Sequence, residues 1–490
     1  MKKKDVPALL AINERIQFWV LTFFSLALLF TRLGQNGMAT FDDCFYGEEA
    51  KEILQTGRWW VLSYNHVASF HNAPLFMWMV AVADKFFGVG VFAAKFPSAL
   101  MGLLTVLLVY RVGKEYWESW IGLFAGLFLL TNYLFLKYSR HCMLDVTLAF
   151  FTTLALYAFL KAIKGERRYY WLWGLGVGLA VLTKSAFGLY PALVAGLVIL
   201  LLKKKSTLLD PQFWGGVFLS VFITGIWVYT QLQAGGQDFI DVHLKFIILG
   251  KIGGEPQTLA DHLSLMKDLL TFLWPWLPLY VLGFYRLFKS DFKNKETTVL
   301  LLVWGLTMPI LLSLMRTKFP FYMIQAFPAW ALAGALGLGK LVPGNVERIQ
   351  WRKAVLGVCL GVGILVTLLP IRMDADREKD TRILAPYVKQ FTEKGAQLVA
   401  LREDYWSLNN ALLFFSDHAT ETIFQDPVEL KPLFEGKDLV LCLAHKGDLA
   451  EIDSKGINWY PVKWGEDLIL IANQSVVTAT VPTWGPLWAN

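Results

Sequence analysis

Phe41-Asp42-Asp43-Cys44-Phe45-Tyr46-Gly47-Glu48-Glu49-Ala50 follows the first apolar segment of the chain, Phe18 to Leu33. It places four carboxylates within eight residues just past the end of a membrane span. Carboxylates that close to hydrocarbon are costly, and they usually serve a site and not a fold. The plainer alternative is the acidic first turn of a solvated helix, where negative charge suits the helix dipole. The flanks decide between the two.

Working outward, the 490 residues are 55% hydrophobic and 17% charged, with 20 Trp, 36 Phe and a mean hydropathy of +0.45. That composition argues against an ordinary soluble protein. The net charge of +7 raises the question of nucleic acid. The basic residues, however, fall in short clusters between apolar runs, the pattern of a polytopic membrane protein whose clusters mark the cytoplasmic side. The bilayer is thus the expected partner and nucleic acid is not. Cys44, Cys142, Cys359 and Cys442 are too few and too scattered for a disulfide scaffold or a zinc site. Cys44 and Cys142 are expected near one another, since each lies within three residues of a candidate site carboxylate. No small-residue cleavage site follows the first span, so it reads as a retained helix.

Apolar runs recur at 18–33, 92–110, 119–136, 146–160, 169–183, 187–202, 213–232, 269–285, 297–315, 321–339 and 354–371. They predict about eleven transmembrane helices. With the N-terminus inside, segments 1–17, 111–118, 161–168, 203–212, 286–296 and 340–353 carry 21 Lys and Arg in 68 residues. The outer segments 34–91, 137–145, 184–186, 233–268 and 316–320 carry 11 in 111, so the positive-inside rule supports this orientation. The short apolar run Pro74 to Gly90 contains Asp84 and Lys85 and reads as a helix along the outer surface. The pair 169–183 and 187–202, meeting at Lys184-Ser185, reads as a hairpin. The expected division is a transmembrane domain over 1–371, with a large first outer loop at 34–91, and an extracytoplasmic α/β domain over 372–490. Within the latter, Gln397–Leu401, Ala411–Phe415, Asp438–Leu443 and Asp467–Ala472 read as strands.

Parity puts Asp42, Asp43, Arg140, Asp145, Lys184, Arg316, Lys318 and Tyr322 on the outer face, at span ends where protein shields them while water reaches them. Carboxylates and cations on one face suit a base and an anion clamp: a hydroxyl nucleophile needs a carboxylate, and a phosphate leaving group needs Lys or Arg. Plainer roles stand beside these. Arg140 and Asp145 would pair with each other, Lys184 would snorkel to the interface, and Arg316 and Lys318 would simply break the charge rule. His71, His243 and His262 lack metal-ligand spacing and fit a structural or acceptor-contact role. Whether a divalent metal is required stays open, and no cofactor is otherwise expected.

Asp42-Asp43-x-x-Tyr46-x-Glu48, Thr56-Gly57-Arg58-Trp59 and Pro74-Leu75-Phe76-x-Trp78 resemble the first outer loop of the glycosyltransferase-C class. More narrowly they resemble glycosyltransferase family 39, the protein O-mannosyltransferases and lipid A aminoarabinose transferases. Met143-Leu144-Asp145-x-x-Leu148, Gly178-Leu179-Ala180-x-Leu182-Thr183-Lys184 and Lys318-Phe319-Pro320-x-Tyr322 are similar to later family motifs, in order. The resemblance implies a polyprenyl-phosphate-linked sugar donor, a lipid, glycan or protein acceptor hydroxyl, and transfer at the outer face of a bacterial inner membrane. It implies Asp42, Asp43 and Asp145 as catalytic. It implies Tyr46, Glu48, Arg140, Lys184, Arg316, Lys318 and Tyr322 as substrate-binding. Two departures stand out: the family's first-loop Asp-Glu pair is Asp42-Asp43 here, and its Lys-Pro-Pro is Asn72-Ala73-Pro74. The rival class is a lipid or solute transporter or flippase, which predicts mid-span charges and a pseudo-repeat; the charges lie at span ends and no repeat is visible.

Overall fold

In the computed structural model the acidic stretch is helical. It forms α2 (Phe41–Thr56), between α1 (Glu14–Phe30) and an antiparallel hairpin of β1 (Leu62–Tyr64) and β2 (Val67–Ser69). The structure describes residues 13–476 except 36, 39–40, 250–266, 268–269, 290–293, 316–318, 340–355, 358–359, 362–363 and 365–377. Most of the eleventh apolar run, and the boundary expected at 371, therefore lie outside the described residues.

Next come α3 (Leu75–Phe87), α4 (Val91–Tyr116), α5 (Ser119–Leu130), α6 (Tyr133–Ser139), α7 (Leu144–Ile163), α8 (Tyr169–Lys184) and α9 (Tyr190–Leu201). They are followed by α10 (Pro211–Gly235), α11 (Leu277–Phe288), α12 (Lys295–Leu314) and α13 (Phe327–Leu338). Among the described residues six helical stretches are long and apolar enough to cross a membrane, and α5 with α6, bent by 70°, makes up to seven. The α10 surface exposes Trp214, Phe218, Val221, Phe222 and Tyr229, an apolar face suited to lipid.

The stretch Tyr169–Leu201 passes that test as one unit, yet it is a hairpin. Ser185 has φ 36° and ψ −117°, which no helix tolerates. A Cβ on Gly188 would fall 2.3 Å from the Ala180 carbonyl oxygen, so the 3₁₀ turn after Lys184 folds back onto α8. Its far ends meet: Arg167 pairs with Asp210 at 2.5 Å, and the Lys204 ammonium donates to the Ile163 carbonyl at 3.0 Å. Between α8 and α10 the backbones touch at glycine, since a Cβ on Gly174 would lie 2.0 Å from the Gly216 carbonyl oxygen.

Ion pairs reveal the two ends of the bundle. Glu14 pairs with Lys114 (2.7 Å), Lys161 with Glu115 and Glu166 (2.8 Å each), Arg167 with Asp210, and Lys204 with Glu296 (3.0 Å). These contacts join five of the six segments read as inner; 340–353 lies outside the described residues. At the other end Asp43 meets His141, Asp145 meets Lys184, and His243 meets the Phe70 carbonyl. Helix α3 starts and finishes at this second end, because Lys95 at the start of α4 donates to the Gly37 carbonyl at 2.7 Å. At 13 residues, about 20 Å long, α3 does not span.

The tail forms a five-stranded sheet in the order β4-β3-β5-β7-β6, from β3 (Gln397–Leu401), β4 (Thr422–Phe424), β5 (Val440–His445), β6 (Tyr460–Trp464) and β7 (Leu468–Ala472). Strands β4, β3 and β5 are parallel, and β7 runs antiparallel to both its neighbours, β5 and β6. Helices α14 (Lys379–Thr392) and α15 (Tyr405–Ser416) cover one face. Leu430, Phe434 and Ile452 fill the other. The expected strand Ala411–Phe415 lies inside α15. Leu408 and Leu412 of that helix pack on the sheet, whereas Ala411 and Phe414 pack on the membrane domain. A helix buried on two sides presents a continuous apolar run, which periodicity cannot tell from a strand.

Candidate active site

A cavity of about 1170 Å³ opens at the second end of the bundle, between α2, the β1–β2 hairpin, the α8–α9 turn, α12 and the start of α15. Asp42, Tyr46, Lys184 and Tyr322 line it, together with Ser69, His71, Asn72 and His243. Much of the rest is apolar, from Leu189, Leu193, Met308, Leu311, Leu314 and Phe319.

Lys184, at the last position of α8, is held from two sides. Its ammonium lies 2.6 Å from Asp145 Oδ1 and sits over the rings of Tyr322 (4.7 Å), Phe321 (5.3 Å) and Phe187 (5.6 Å). Asp145 enters as the second residue of α7, where the helix dipole favours a carboxylate. It is buried, and its Oδ2 has no hydrogen-bond partner among the described residues. Asp42, on the first turn of α2, is the half-buried carboxylate that faces the cavity. Tyr46, one turn later, is buried; burial first, then the Asp42 charge, pushes its hydroxyl well above the ordinary range, so it remains a donor.

Other expected site residues lie elsewhere. Asp43 is fully buried and accepts from His141 across 3.0 Å, tying α2 to the α6–α7 connection away from the cavity lining. Glu48 pairs with Lys51 at 2.6 Å and points toward the tail domain. Arg140 does not pair with Asp145. Its guanidinium donates to the carbonyls of Leu28 (2.7 Å), Leu29 (3.3 Å) and Thr31 (3.1 Å), capping the C-terminal end of α1. A cation there satisfies carbonyls the helix leaves open. Arg316 and Lys318 fall outside the described residues. Cys44 and Cys142 are buried free thiols, both pushed well above the ordinary range by burial, with Cys142 adding to the shift of Cys44.

Two features of the site escaped sequence reasoning. Glu49, fully buried, accepts from Ser69 Oγ at 2.6 Å and from Asn72 Nδ2 at 2.9 Å, and Ser69 Oγ also lies 3.3 Å from His71 Nδ1. One carboxylate of the acidic helix thus fixes three residues of the cavity wall. Burial raises the Glu49 carboxyl to about 8. The second feature is Trp406, which brings the tail domain into the cavity lining. Long-range pairing of this kind has no local signal. Among the described residues no group of three or more His, Cys, Asp or Glu is arranged to hold a metal.

Residues 71–229 match the family model described as dolichyl-phosphate-mannose-protein mannosyltransferase. The chain is 27% identical over 461 residues to an uncharacterised protein of Aquifex aeolicus, covering 86% of this chain and 89% of that one. It is 26% identical over 373 residues to the undecaprenyl phosphate-alpha-4-amino-4-deoxy-L-arabinose arabinosyl transferase 2 of Pseudomonas fluorescens, covering 72% of this chain and 65% of that transferase. In fold it is similar to ArnT from Cupriavidus metallidurans bound to undecaprenyl phosphate. The TM-score there is 0.74 at 18% identity, over 94% of this chain and 98% of that one. The Archaeoglobus fulgidus oligosaccharyltransferase aligns with a TM-score of 0.56 at 13% identity, over 87% and 66%. The fold is therefore that of the polytopic glycosyltransferase-C class, and the resemblance to family 39 holds in sequence as well.

Proposed function

We propose that this chain is a membrane glycosyltransferase that moves a sugar from a polyprenyl-phosphate-linked donor to a hydroxyl on a lipid, glycan or protein acceptor, at the outer face of a bacterial inner membrane. One observation carries the reading: a carboxylate, Asp42, and a cation, Lys184, face the same large and mostly apolar cavity at one end of a helical bundle. The similarity to transferases named for undecaprenyl phosphate supports the donor class.

The acceptor hydroxyl attacks the anomeric carbon while Asp42 takes its proton, the new carbon–oxygen bond forms, and the bond to the lipid phosphate breaks. The departing phosphate carries the electron pair, and Lys184 neutralises the charge that grows on it. Asp145 and the ring of Tyr322 hold the ammonium in place, so little reorganisation is needed as charge develops. The aliphatic wall of Leu189, Leu193, Met308 and Leu311 suits the prenyl chain. Asp43, Glu48 and Arg140 keep the site in shape through the contacts described above, off the cavity lining. The bundle end joined by basic segments is cytoplasmic, and residues 378–476 lie outside.

The test is mass spectrometry of envelope lipids and glycans from cells carrying the parent chain, Asp42→Asn, or no copy. A sugar-bearing polyprenyl phosphate should accumulate in the last two, with loss of one modified acceptor. Identical profiles in all three would refute the reading.

A further inference from the structure

We propose that Trp406 and Tyr405, at the start of α15, form with Tyr64 and His71 a carbohydrate-binding subsite, through which the tail domain selects a sugar-bearing acceptor. The proposal rests on the transferase reading above and deepens it.

Three observations converge. Trp406 and Tyr405 are 52% and 48% exposed, whereas Leu408 to Phe414 of the same helix are buried, so the helix leaves open only the end that meets the cavity. Their rings stand edge to face at 5.6 Å. The rings then continue inward. Asn410, one turn after Trp406, accepts from the Tyr64 hydroxyl; Tyr64 packs on Phe45 at 4.8 Å, and Phe45 meets His71 at 5.9 Å. Tyr64, Phe45, His71 and Trp406 all line the cavity.

The placement is fixed. Lys51 of α2 reaches the last carbonyls of α15, and a Cβ on Gly47 would fall 2.7 Å from the Phe414 ring. Helix α15 is thereby pressed onto the helix that carries Asp42.

The chemistry points to a sugar. A pyranose has an apolar C–H face and a polar edge, and rings with hydrogen-bonding tips match both. Ser69, His71 and Asn72 add polar groups on the same cavity wall. The spans supply aliphatic lining fit for the prenyl chain, while this aromatic rim comes from outside them. An interfacial belt would also use Trp and Tyr. Trp406, however, belongs to the sheet domain and lines the cavity.

Saturation-transfer NMR on the full chain in nanodiscs tests this. The probes are the water-soluble sugar fraction made by deacylating envelope glycolipid, a Ser/Thr peptide, and undecaprenyl phosphate. The parent should bind the sugar fraction in preference to the peptide. Trp406→Ala should weaken sugar binding about tenfold or more, and Trp406→Phe should restore most of it. Undecaprenyl phosphate should bind all three within about twofold. Equal sugar binding by Trp406→Ala and parent would overturn the subsite, as would a parent that binds the peptide and not the sugar, or neither. Failure of the parent to bind undecaprenyl phosphate would strike the transferase reading instead; sugar binding lost in Trp406→Ala would then still stand.

Discussion

Lys51→Met removes the group that fastens the tail domain to the acidic helix. The Lys51 ammonium is buried, 2.6 Å from Glu48 and 2.8 Å from Asp417, and donates to the carbonyls of Leu413 and Phe414 at 2.5 and 3.3 Å. Without it Asp417 keeps Lys389 at 2.5 Å and is a third exposed, so its loss is small. Glu48 is nearly fully buried, and among the described residues Lys51 is its ion-pair partner. Burial already lifts its carboxyl from 4.5 to about 7, against the pull of Lys51. In the variant Glu48 loses the ammonium that holds its carboxyl down, and it takes up a proton at pH 7. Breaking a buried ion pair by removing one partner costs about 3–5 kcal/mol. Local opening of α15 should then be favoured about 10²-fold. Hydrogen exchange read by mass spectrometry over residues 405–416 would measure it. Adding Glu48→Gln should recover most of the protection, because no charge is then stranded. Unchanged exchange in Lys51→Met would refute the clamp.

Glu49→Gln should flatten the pH dependence of stability. The folded carboxyl sits near 8 against an ordinary 4.5, so the native state holds the extra proton between those values and the parent loses stability as pH rises from 5 to 8; an equally steep melting profile in the variant would count against this. Gly174→Ala should lower the melting temperature by about 2 °C or more, since its Cβ meets the Gly216 carbonyl backbone. Gly196→Ala, with nothing within 4 Å, should not. Lys184→Met should abolish undecaprenyl phosphate binding and destabilise the fold by stranding Asp145; adding Asp145→Asn should recover the melting temperature and leave binding lost.

Much of this architecture was legible in the chain. Lys and Arg density sorted the loops into two sets, and ion pairs such as Glu14–Lys114 and Lys204–Glu296 join members of one set. The stretch 41–50 marked the site helix, and Asp42, Tyr46, Lys184 and Tyr322 do share a cavity. Less legible was how the charges divide their work. Asp42 and Asp43 are neighbours in sequence, but 100° apart on a helix, so one faces the cavity and the other His141. Arg140 is three residues from a motif, and its geometry sends it to the carbonyls of α1. Trp406 lies more than 300 residues from the acidic helix, and only packing of α15 brings it in.

In the proposed mechanism Asp42 removes the acceptor proton while Lys184 holds the phosphate. Purified parent and Asp42→Asn chains, compared for undecaprenyl phosphate binding and for sugar transfer from the polyprenyl-phosphate donor found to accumulate in cells, test it most directly. Asparagine keeps the shape and cannot take the proton, so transfer should fall by ~10²–10⁴-fold while binding stays within about twofold. Transfer by Asp42→Asn at near the parent rate would contradict the account.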